Sequence, residues 1–392
     1  MSLTWLSLRA ASDSDEATQP GTSPTHSHAR GDTVRGVTRH ALTLAALVDA
    51  AVPGAHPTRV EEVVERVGER FRVGFVEDDE GRRWAVRLPA DAVAAALQDQ
   101  SLALLKLLVG RLPVEVPHPA GFATLRDGRR AMVYPLIPGR VLGFETLPPG
   151  PGPATALGET IAAIHNLDPA LYDDAGVPSY SAEDCRRRRQ SDVDLGAQTG
   201  LVPTGLLSRW EKMLDDVAWW RFSTRPVHGR LDAEHVLVGF SDRDDASTAR
   251  ILALTSWEYA QVGDPAEDLA SVLAIAGEQA AATVLAAYTR NLHEPADAAL
   301  RHRATLLYEL RLLSDLLTAR RLDDRKALTL ATEALRRLDD EVGDEEIVGN
   351  RSGTAIDTVP LDFTQEPTPA DLYSAGRPVR TAASRASGDD ED

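Results

Sequence analysis

The sequence predicts an α+β protein of two lobes, a small β-rich N-terminal lobe and a larger, mostly helical C-terminal lobe. In the first part, FRVGFVE and RWAVRL alternate apolar and polar residues on both sides of DDEG, a pattern typical of a β-hairpin with a glycine in its turn. The stretch ADAVAAALQDQSLALLKLLVGRL then has helical periodicity, and RRAMVYPLI is an apolar strand. After PPGPGP the pattern becomes mostly helical.

In the C-terminal part, helices are expected from Ala154 to Asn166, Thr204 to Trp219, Pro265 to Ala276 and across the arginine- and leucine-rich stretch Ala296 to Asp340. Two short strands, HVLVGF and ARILALTSW, lie between the second and third of these. The polar ends, residues 1–38 and 343–392, are expected to form a disordered leader and a disordered acidic tail. The folded body then divides into an N-lobe at residues 39–138 and a C-lobe at residues 139–342.

Composition excludes several classes of function. The chain has 392 residues, 43% of them hydrophobic, and a net charge of −18, and a surface rich in carboxylates repels nucleic acids and anionic membranes. Its single cysteine, Cys185, cannot form an intramolecular disulfide. No apolar run reaches the roughly 18 residues that span a bilayer. We therefore expect a cytoplasmic protein that binds a small molecule or a protein partner, with no nucleic acid and no membrane.

Several motifs follow one another in the order found in small-molecule kinases. They are RRWAVRLP in the small lobe, MVYPLIPGR at the hinge, LGETIAAIHNLDP in the first large-lobe helix, VHG and HVLV around a loop, and WEYAQVGDPAEDLA after the second strand. From about residue 40 to residue 340 the chain resembles the aminoglycoside and macrolide phosphotransferase family. The resemblance implies a two-lobed, protein-kinase-like fold, with ATP or GTP bound on the N-lobe side and a hydroxylated small molecule as the substrate.

The resemblance assigns the nucleotide side of the cleft to Arg87 and to Tyr134 in the hinge. Arg87 matches the cation that fixes the α- and β-phosphates, and a guanidinium can bind phosphate as a fork. The helix positions that could supply its carboxylate partner hold Gln100 and Ser101, and Asp99 is the acid nearby. We therefore expect the ion pair between strand and helix to be lost.

The loop HGRLDAEH departs from the family pattern at the general base. Arg230 stands where the resemblance implies an Asp, and a guanidinium has no acceptor lone pair with which to align a hydroxyl. Asp232, two residues on, is the nearest replacement, but a shift of two residues displaces the carboxylate from the reacting hydroxyl. His228 is expected to support the loop backbone.

The two metal-ligand positions are also changed. His235 and Ser256 stand where the family has an Asn and an Asp, and magnesium prefers hard, charged oxygen ligands. A unit positive charge about 4 Å from a divalent ion costs about 8 kcal/mol at an effective dielectric of ~20, so we expect Arg230 and a catalytic magnesium to exclude each other. His228, Asp232 and His235 form an alternative zinc set, although their spacing is not that of a known zinc motif.

Other residues have structural interpretations. Asp264 is expected to cap the helix that begins near Pro265 and to be a local partner of Arg230, and Asp268 is a first-turn acid favoured by the helix dipole. The run Arg186 to Arg189 is interpreted as a solvated face. A second group is interpreted either as part of the ligand side of the cleft or as core: Trp219, Trp220, Trp257 and Tyr259.

Three hypotheses follow. The first is a pseudokinase that keeps the fold, has lost metal-dependent transfer and acts by binding a ligand or partner. The second is an active ATP- or GTP-dependent O-phosphotransferase of an antibiotic or metabolite, with Asp232 or Glu258 in displaced roles. The third is a related fold that transfers another group from a nucleotide bound in the opposite direction.

Overall fold

The structure is a computed structural model that describes residues 6–7, 32–62, 70–242 and 245–342. The tail expected at residues 343–392 lies outside the described residues, as does most of the leader expected at residues 1–38. Within that leader, a short strand β1 (Leu6–Ser7) and the start of helix α1 (Asp32–Ala51) are described. The boundary predicted at residue 38 therefore falls inside a helix, whose buried residues from Ala41 onward pack on the N-lobe sheet.

The N-lobe contains an antiparallel sheet in the order β1-β2-β3-β4-β6-β5. The predicted hairpin is confirmed as β3 and β4, with Gly81 in its turn at φ +74°, and the predicted helix as α2. The elements after β1 and α1 are β2 (Pro57–Glu62), β3 (Phe71–Asp78), β4 (Arg83–Pro89), α2 (Ala92–Leu108), β5 (Gly121–Thr124) and β6 (Arg130–Pro135).

Alternation along these strands gives the N-lobe sheet two different faces. Val76, Val86 and Val133 lie on the outer face and are buried with α1. Phe75, Ala85 and Tyr134 are register partners on the opposite face, and they belong to the core that continues into the C-lobe. The inner face of the sheet therefore forms one wall of the cleft between the lobes.

The C-lobe is mostly helical, and the helices predicted in it are present. Three helices were not predicted: α4 has only five residues, α5 is almost entirely polar, and α8 presents alanines rather than a stripe of large apolar residues. The lobe contains α3 (Pro153–His165), α4 (Ala170–Asp174), α5 (Ala182–Ala197), α6 (Thr204–Asp215), α7 (Ala266–Ile275), α8 (Glu278–Asn291), α9 (Leu300–Arg321) and α10 (Arg325–Val342).

Two small sheets carry the loops that face the cleft. One has the order β10-β9-β7 and the other pairs β11 with β8. The predicted strands HVLVGF and ARILALTSW appear as β9 and β10. The bounds are β7 (Arg140–Val141), β8 (Arg225–Val227), β9 (Val236–Phe240), β10 (Ala249–Leu254) and β11 (Gln261–Gly263). Among the described residues, no helix is long and apolar enough to cross a membrane.

Candidate functional site

Asp268 holds the start of the loop between β8 and β9. It lies in the first turn of α7 and is fully buried. Its Oδ2 accepts the backbone N–H of His228 at 2.8 Å, and its Oδ1 accepts that of Gly229 at 2.7 Å. The Nε2 of His165 lies 3.1 Å from Oδ2. Burial disfavours the charge of Asp268, but these donors outweigh burial and hold its pKa below the usual value. We call His165, His228, Gly229 and Asp268 the anchor.

His228 and Gly229 also tie the loop to the segment after β10. Gly229 has φ +85°, and a Cβ there would overlap the carbonyl oxygen of Tyr259, so glycine is required. The fully buried His228 donates from Nε2 to the Thr255 carbonyl at 2.7 Å, and its ring lies edge-on to that of Trp257, with centroids 4.7 Å apart. The loop backbone is therefore held from two directions.

The next residues of the loop, with Ser256, form a second group, which we call the reactive edge: Arg230, Asp232, His235 and Ser256. Arg230 is 43% exposed in its side chain and donates from Nε to Asp232 Oδ2 at 3.1 Å. Its guanidinium carbon lies 5.5 Å from the centre of the Tyr259 ring. The expectation that Asp264 binds Arg230 is wrong.

Asp264 is used elsewhere in the C-lobe. It pairs with the fully buried Arg303, whose Nε lies 2.8 Å from its Oδ2, and it also accepts the backbone N–H of Ala266 at the start of α7. A buried guanidinium needs a carboxylate partner at close range. Asp264 therefore serves Arg303 and the start of α7, whose N-cap is Pro265, one residue later than predicted. Arg230 pairs with Asp232 within its own loop.

Asp232 has partners on both of its oxygens. Oδ2 accepts Arg230, and Oδ1 accepts the hydroxyl of Ser271 on α7 and a guanidinium N–H of Arg311 on α9. Burial alone would raise the pKa of Asp232, but Arg311, His235, Ser271 and Arg230 together lower it well below its usual range. A carboxylate of such low basicity is a poor proton acceptor.

The two predicted metal-ligand positions carry groups of other chemistry. His235 donates from Nδ1 to the Arg230 carbonyl at 2.8 Å, and burial, followed by the neighbouring His228, lowers its pKa. Ser256 adopts the left-handed conformation at φ 66° and ψ 53°. Asn and Asp adopt this conformation more readily than serine does. The turn geometry at this position therefore suits Asn or Asp better than the serine that the sequence has.

The alternative zinc set does not come together. The rings of His228 and His235 have centroids 5.9 Å apart, but the Nε2 of the first and the Nδ1 of the second are each bonded to a carbonyl. Asp232 is engaged by two arginines. In the described part of the chain, no group of three His, Cys, Asp or Glu side chains could hold a metal ion.

Arg87 finds its carboxylate in the other lobe. The expected helix acid, Asp99, pairs instead with Arg130, whereas Arg87 forms a buried ion pair with Glu258, two residues beyond Ser256. The centre of the Phe71 ring lies 3.5 Å from the guanidinium carbon of Arg87. The carboxylate that pairs with Arg87 therefore comes from the C-lobe and not from Asp99.

A small cavity lies between β4, α2, β6 and the segment after β10. Arg87, Tyr134, Ser256 and Glu258 are among its lining residues, so the two residues assigned to the nucleotide side do lie together. The cavity offers about 20 Å³ for water, which is room for roughly one water molecule. The Arg87–Glu258 pair fills the space where the phosphate-binding cation was expected to meet its ligand.

The arginine run on α5 is only partly a solvated face. Arg186 and Arg187 pair with acids on their own helix. Arg188 lies over the Tyr180 ring, with 4.1 Å from its guanidinium carbon to the ring centre, and Arg189 reaches Glu267 at the start of α7. Half of the run therefore joins α5 to the rest of the lobe.

Some of the aromatic residues interpreted as either core or ligand side are buried, and others are not. Trp220 and Trp257 are buried in the core, and Trp219 stacks on His302. Tyr259 is 36% exposed and lies beside Arg230. Tyr259 is therefore the member of that group that can contact a ligand at the reactive edge.

The order of the loops, the anchor and the two-lobed architecture point to one family. A family model described as the phosphotransferase enzyme family, APH, matches residues 65–307. The chain belongs to this family. A Bacillus subtilis (strain 168) relative named "Uncharacterized protein YcbJ" is 28% identical to this phosphotransferase-family chain over 233 residues, which cover 57% of this chain and 74% of the relative.

Solved structures agree with this assignment. The chain is similar to macrolide 2'-phosphotransferase MphH from Brachybacterium faecium, with 25% identity, a TM-score of 0.59 and coverage of 77% of this chain and 97% of the other. It is also similar to the GDP and kanamycin complex of APH(2")-IIia, with 19% identity, a TM-score of 0.63 and coverage of 78% and 100%. The predicted protein-kinase-like α+β fold is confirmed.

Several residues of the site were not predicted from the sequence, among them His165, Ser271, Asp268 and Arg311. Asp268 was interpreted only as a first-turn acid, whereas it binds three groups of the anchor. Arg311 lies 79 residues from Asp232 in the sequence, and nothing in the local pattern of α9 marks it. The position of Asp268 in the family motif GDPAEDLA carried a usable signal, but Arg311 carried none.

Proposed function

We propose that this family member has lost metal-dependent phosphoryl transfer and acts by binding a ligand or partner in its cleft. The observation that carries the proposal is the chain of contacts Arg230–Asp232–Arg311. A guanidinium stands at the general-base position, and the nearest carboxylate is held between two guanidinium groups. Phosphoryl transfer depends on a positioned proton acceptor and on charge neutralisation, and here both oxygens of Asp232 are already engaged.

The metal positions support the same proposal. A magnesium ion takes oxygen ligands, preferably carboxylates and phosphates, but His235 offers an imidazole and Ser256 a neutral hydroxyl. Glu258, the carboxylate that could serve in a displaced role, is paired with Arg87. The residues present therefore do not fit a catalytic magnesium ion.

The ligand that we propose is a small molecule bound between the lobes, in a cytoplasmic protein. The similar structures carry GDP and kanamycin in one case, which supports a nucleotide on the N-lobe side and a hydroxylated compound on the C-lobe side. Arg87 and Tyr134 line the cavity on the nucleotide side, and Tyr259 lies exposed on the other. We propose that no nucleotide requires magnesium in order to bind.

Nucleotide binding and turnover test the proposal together. Thermal shift with ATP and GTP, each with magnesium and with EDTA, should show no stabilisation that requires the metal. Phosphate transfer should be absent across a panel of aminoglycosides and macrolides. Metal-dependent binding accompanied by turnover of any of these compounds would contradict the proposal and favour the active-kinase hypothesis.

A restored variant makes the negative result informative. The combined substitutions Arg230→Asp, His235→Asn and Ser256→Asp return the base and both metal ligands of the family pattern. ATP turnover is expected only in this triple variant. The single variant Arg230→Asp is the matched control, because it restores the base but not the metal ligands. Equal turnover in the single and the triple variant would show that the metal positions were not the defect.

A further inference from the structure

The ion pair between Arg87 and Glu258 joins the two lobes. Arg87 lies on β4 of the N-lobe and Glu258 on the short 3₁₀ turn Trp257–Tyr259 of the C-lobe, 171 residues later. Their side chains are 9% and 3% exposed. Burial alone raises the pKa of Glu258, but Arg87 outweighs this effect and lowers it, so the pair is ionised at neutral pH.

Phe71 covers the same guanidinium group. The centre of its ring lies 3.5 Å from the guanidinium carbon of Arg87, within the range of a favourable cation–π contact. Glu258 accepts a hydrogen bond from Nη1 of Arg87, and the Phe71 ring covers one face of the guanidinium group. An incoming anion therefore meets a guanidinium group that is already engaged by a carboxylate and an aromatic ring.

Glu258 is held on a stiff support. Ser256 turns the chain in the left-handed conformation, and the next residue, Trp257, is 1% exposed and donates from its indole nitrogen to the Leu254 carbonyl at 3.0 Å. The backbone N–H of Ala260 closes the turn onto the Trp257 carbonyl at 3.1 Å. The carboxylate is therefore preorganised toward Arg87, because its neighbours on both sides are fixed.

We propose that Glu258 is an internal competitor for the anion-binding position of the cleft, so that a polyphosphate binds Arg87 only by displacing it. Carboxylate and phosphate oxygens bind a guanidinium group in the same forked geometry. An intramolecular carboxylate has a high effective concentration and prevails until a more highly charged ligand arrives. A cavity of about 20 Å³ has no room for a phosphate group while Glu258 lines it, so Glu258 must move before the phosphate can reach Arg87.

This inference rests on the proposed function, in which the cleft is the ligand site. It adds that the cleft selects ligands by their negative charge. The ligand class is a free di- or triphosphate, because several negative charges are needed to outcompete one carboxylate. Magnesium reduces the charge of such a ligand and is opposed at the reactive edge by Arg230, whose cationic side chain is 43% exposed. Magnesium should therefore weaken binding, which is the opposite of its effect in a metal-dependent kinase.

Calorimetric titration of the full chain with sodium tripolyphosphate and with ADP, in EDTA, tests the competition. Glu258→Gln should bind each ligand at least ten-fold more tightly than the unmodified chain, and adding magnesium should weaken binding in both proteins. Glu309→Gln is the matched control, since Glu309 is also a fully buried carboxylate paired with an arginine, Arg209, but lies within the helical lobe. Its affinity should stay within two-fold of the unmodified chain.

The role of Arg87 is tested in the same titrations. The double variant Arg87→Gln/Glu258→Gln should lose the gain in affinity. Affinities of Glu258→Gln and the unmodified chain within two-fold of each other, including undetectable binding by both, would overturn the proposal. So would a double variant that binds as tightly as Glu258→Gln.

A second variant covers the case in which Glu258→Gln does not fold. Glu258→Asp keeps the charge but shortens the side chain by one methylene, so it should weaken the pair and give a smaller gain in affinity, and no gain would overturn the proposal. Failure here is distinguishable from failure of the proposed function. The former appears as unchanged affinity in EDTA, and the latter as phosphate transfer in magnesium.

Discussion

The anchor and the reactive edge meet in the loop between β8 and β9, yet they differ in how their polar groups are satisfied. In the anchor, a buried Asp268 accepts hydrogen bonds from the loop backbone and a histidine, an arrangement that positions a loop. In the reactive edge, Arg230 and Asp232 pair with each other, and Ser271 and Arg311 engage the second oxygen of Asp232. The anchor therefore fixes the backbone of the loop, whereas the contacts of the reactive edge join side chains to one another.

The largest effect is expected where the anchor is broken. Asp268→Asn should lower the free energy of unfolding by about 4 kcal/mol, because an amide can accept one of the two loop N–H groups but points its own N–H₂ at another donor. The shift of the urea midpoint measures the effect. Asp99→Asn, which removes one member of an exposed pair with Arg130, is the control and should change stability by less than about 0.5 kcal/mol.

The same variant predicts a change in acid sensitivity. The pKa of Asp268 is lower in the folded chain than in the unfolded chain. Its contribution to stability is therefore present above the unfolded value of about 4 and is lost as the pH falls through the folded pKa. The Asn variant should lack this part of the acid limb. A midpoint that falls in parallel in both proteins below pH 4 would show that Asp268 does not carry the anchor.

A smaller loss of stability is expected between the lobes, where Arg87 and Glu258 form a buried ion pair. Glu258→Gln should lower stability by about 3 kcal/mol, because it leaves a buried guanidinium group without its counter-charge. The double variant Arg87→Met/Glu258→Leu should recover to within about 1 kcal/mol of the original chain, since an apolar pair of similar size removes both charges. A double variant as unstable as the single one would show that packing, rather than charge, joins the lobes here.

The elements of the fold were not equally predictable from the sequence. The β3–β4 hairpin and α7 follow from local patterns, namely period-two alternation and the GDPAEDLA start. Helix α5 was missed because its sequence is polar almost throughout and only three of its residues are buried, Cys185, Val193 and Gly196. A local sequence pattern therefore predicts an element when buried residues recur at regular intervals. It does not predict an element such as α5, which is held by a few contacts.

The site divides in the same way. The family resemblance predicts that Arg230, His235 and Ser256 stand at the general-base and metal-ligand positions. Their consequences depend on partners that are distant in the sequence, Arg311 for Asp232 and Glu258 for Arg87. A single sequence contains no signal for such pairs, because the charge of each partner is common on helices and turns. The identity of the altered residues was predictable, but the contacts that occupy them were not.

Within the reactive edge, the two arginines that hold Asp232 should not contribute equally. Arg311→Gln should lower stability by about 2 kcal/mol and Arg230→Gln by about 0.5 kcal/mol, because the side chain of Arg311 is 19% exposed and that of Arg230 is 43% exposed. Urea midpoints of the two variants measure the difference. Equal losses would mean that Asp232 is held by its own loop rather than by α9.

The smallest effect is expected at Ser256, where the backbone keeps a conformation that the side chain does not favour. A left-handed residue other than glycine costs roughly 1 kcal/mol, and Ser256 has φ 66°. Ser256→Gly should therefore be about 1 kcal/mol more stable than Ser256→Ala, the matched control that also removes the hydroxyl. If the two variants unfold at the same urea concentration, the turn is not strained. If Ser256→Gly is the more stable variant, serine is strained in this turn. The turn would then be kept in spite of the strain, because it positions Glu258 to pair with Arg87.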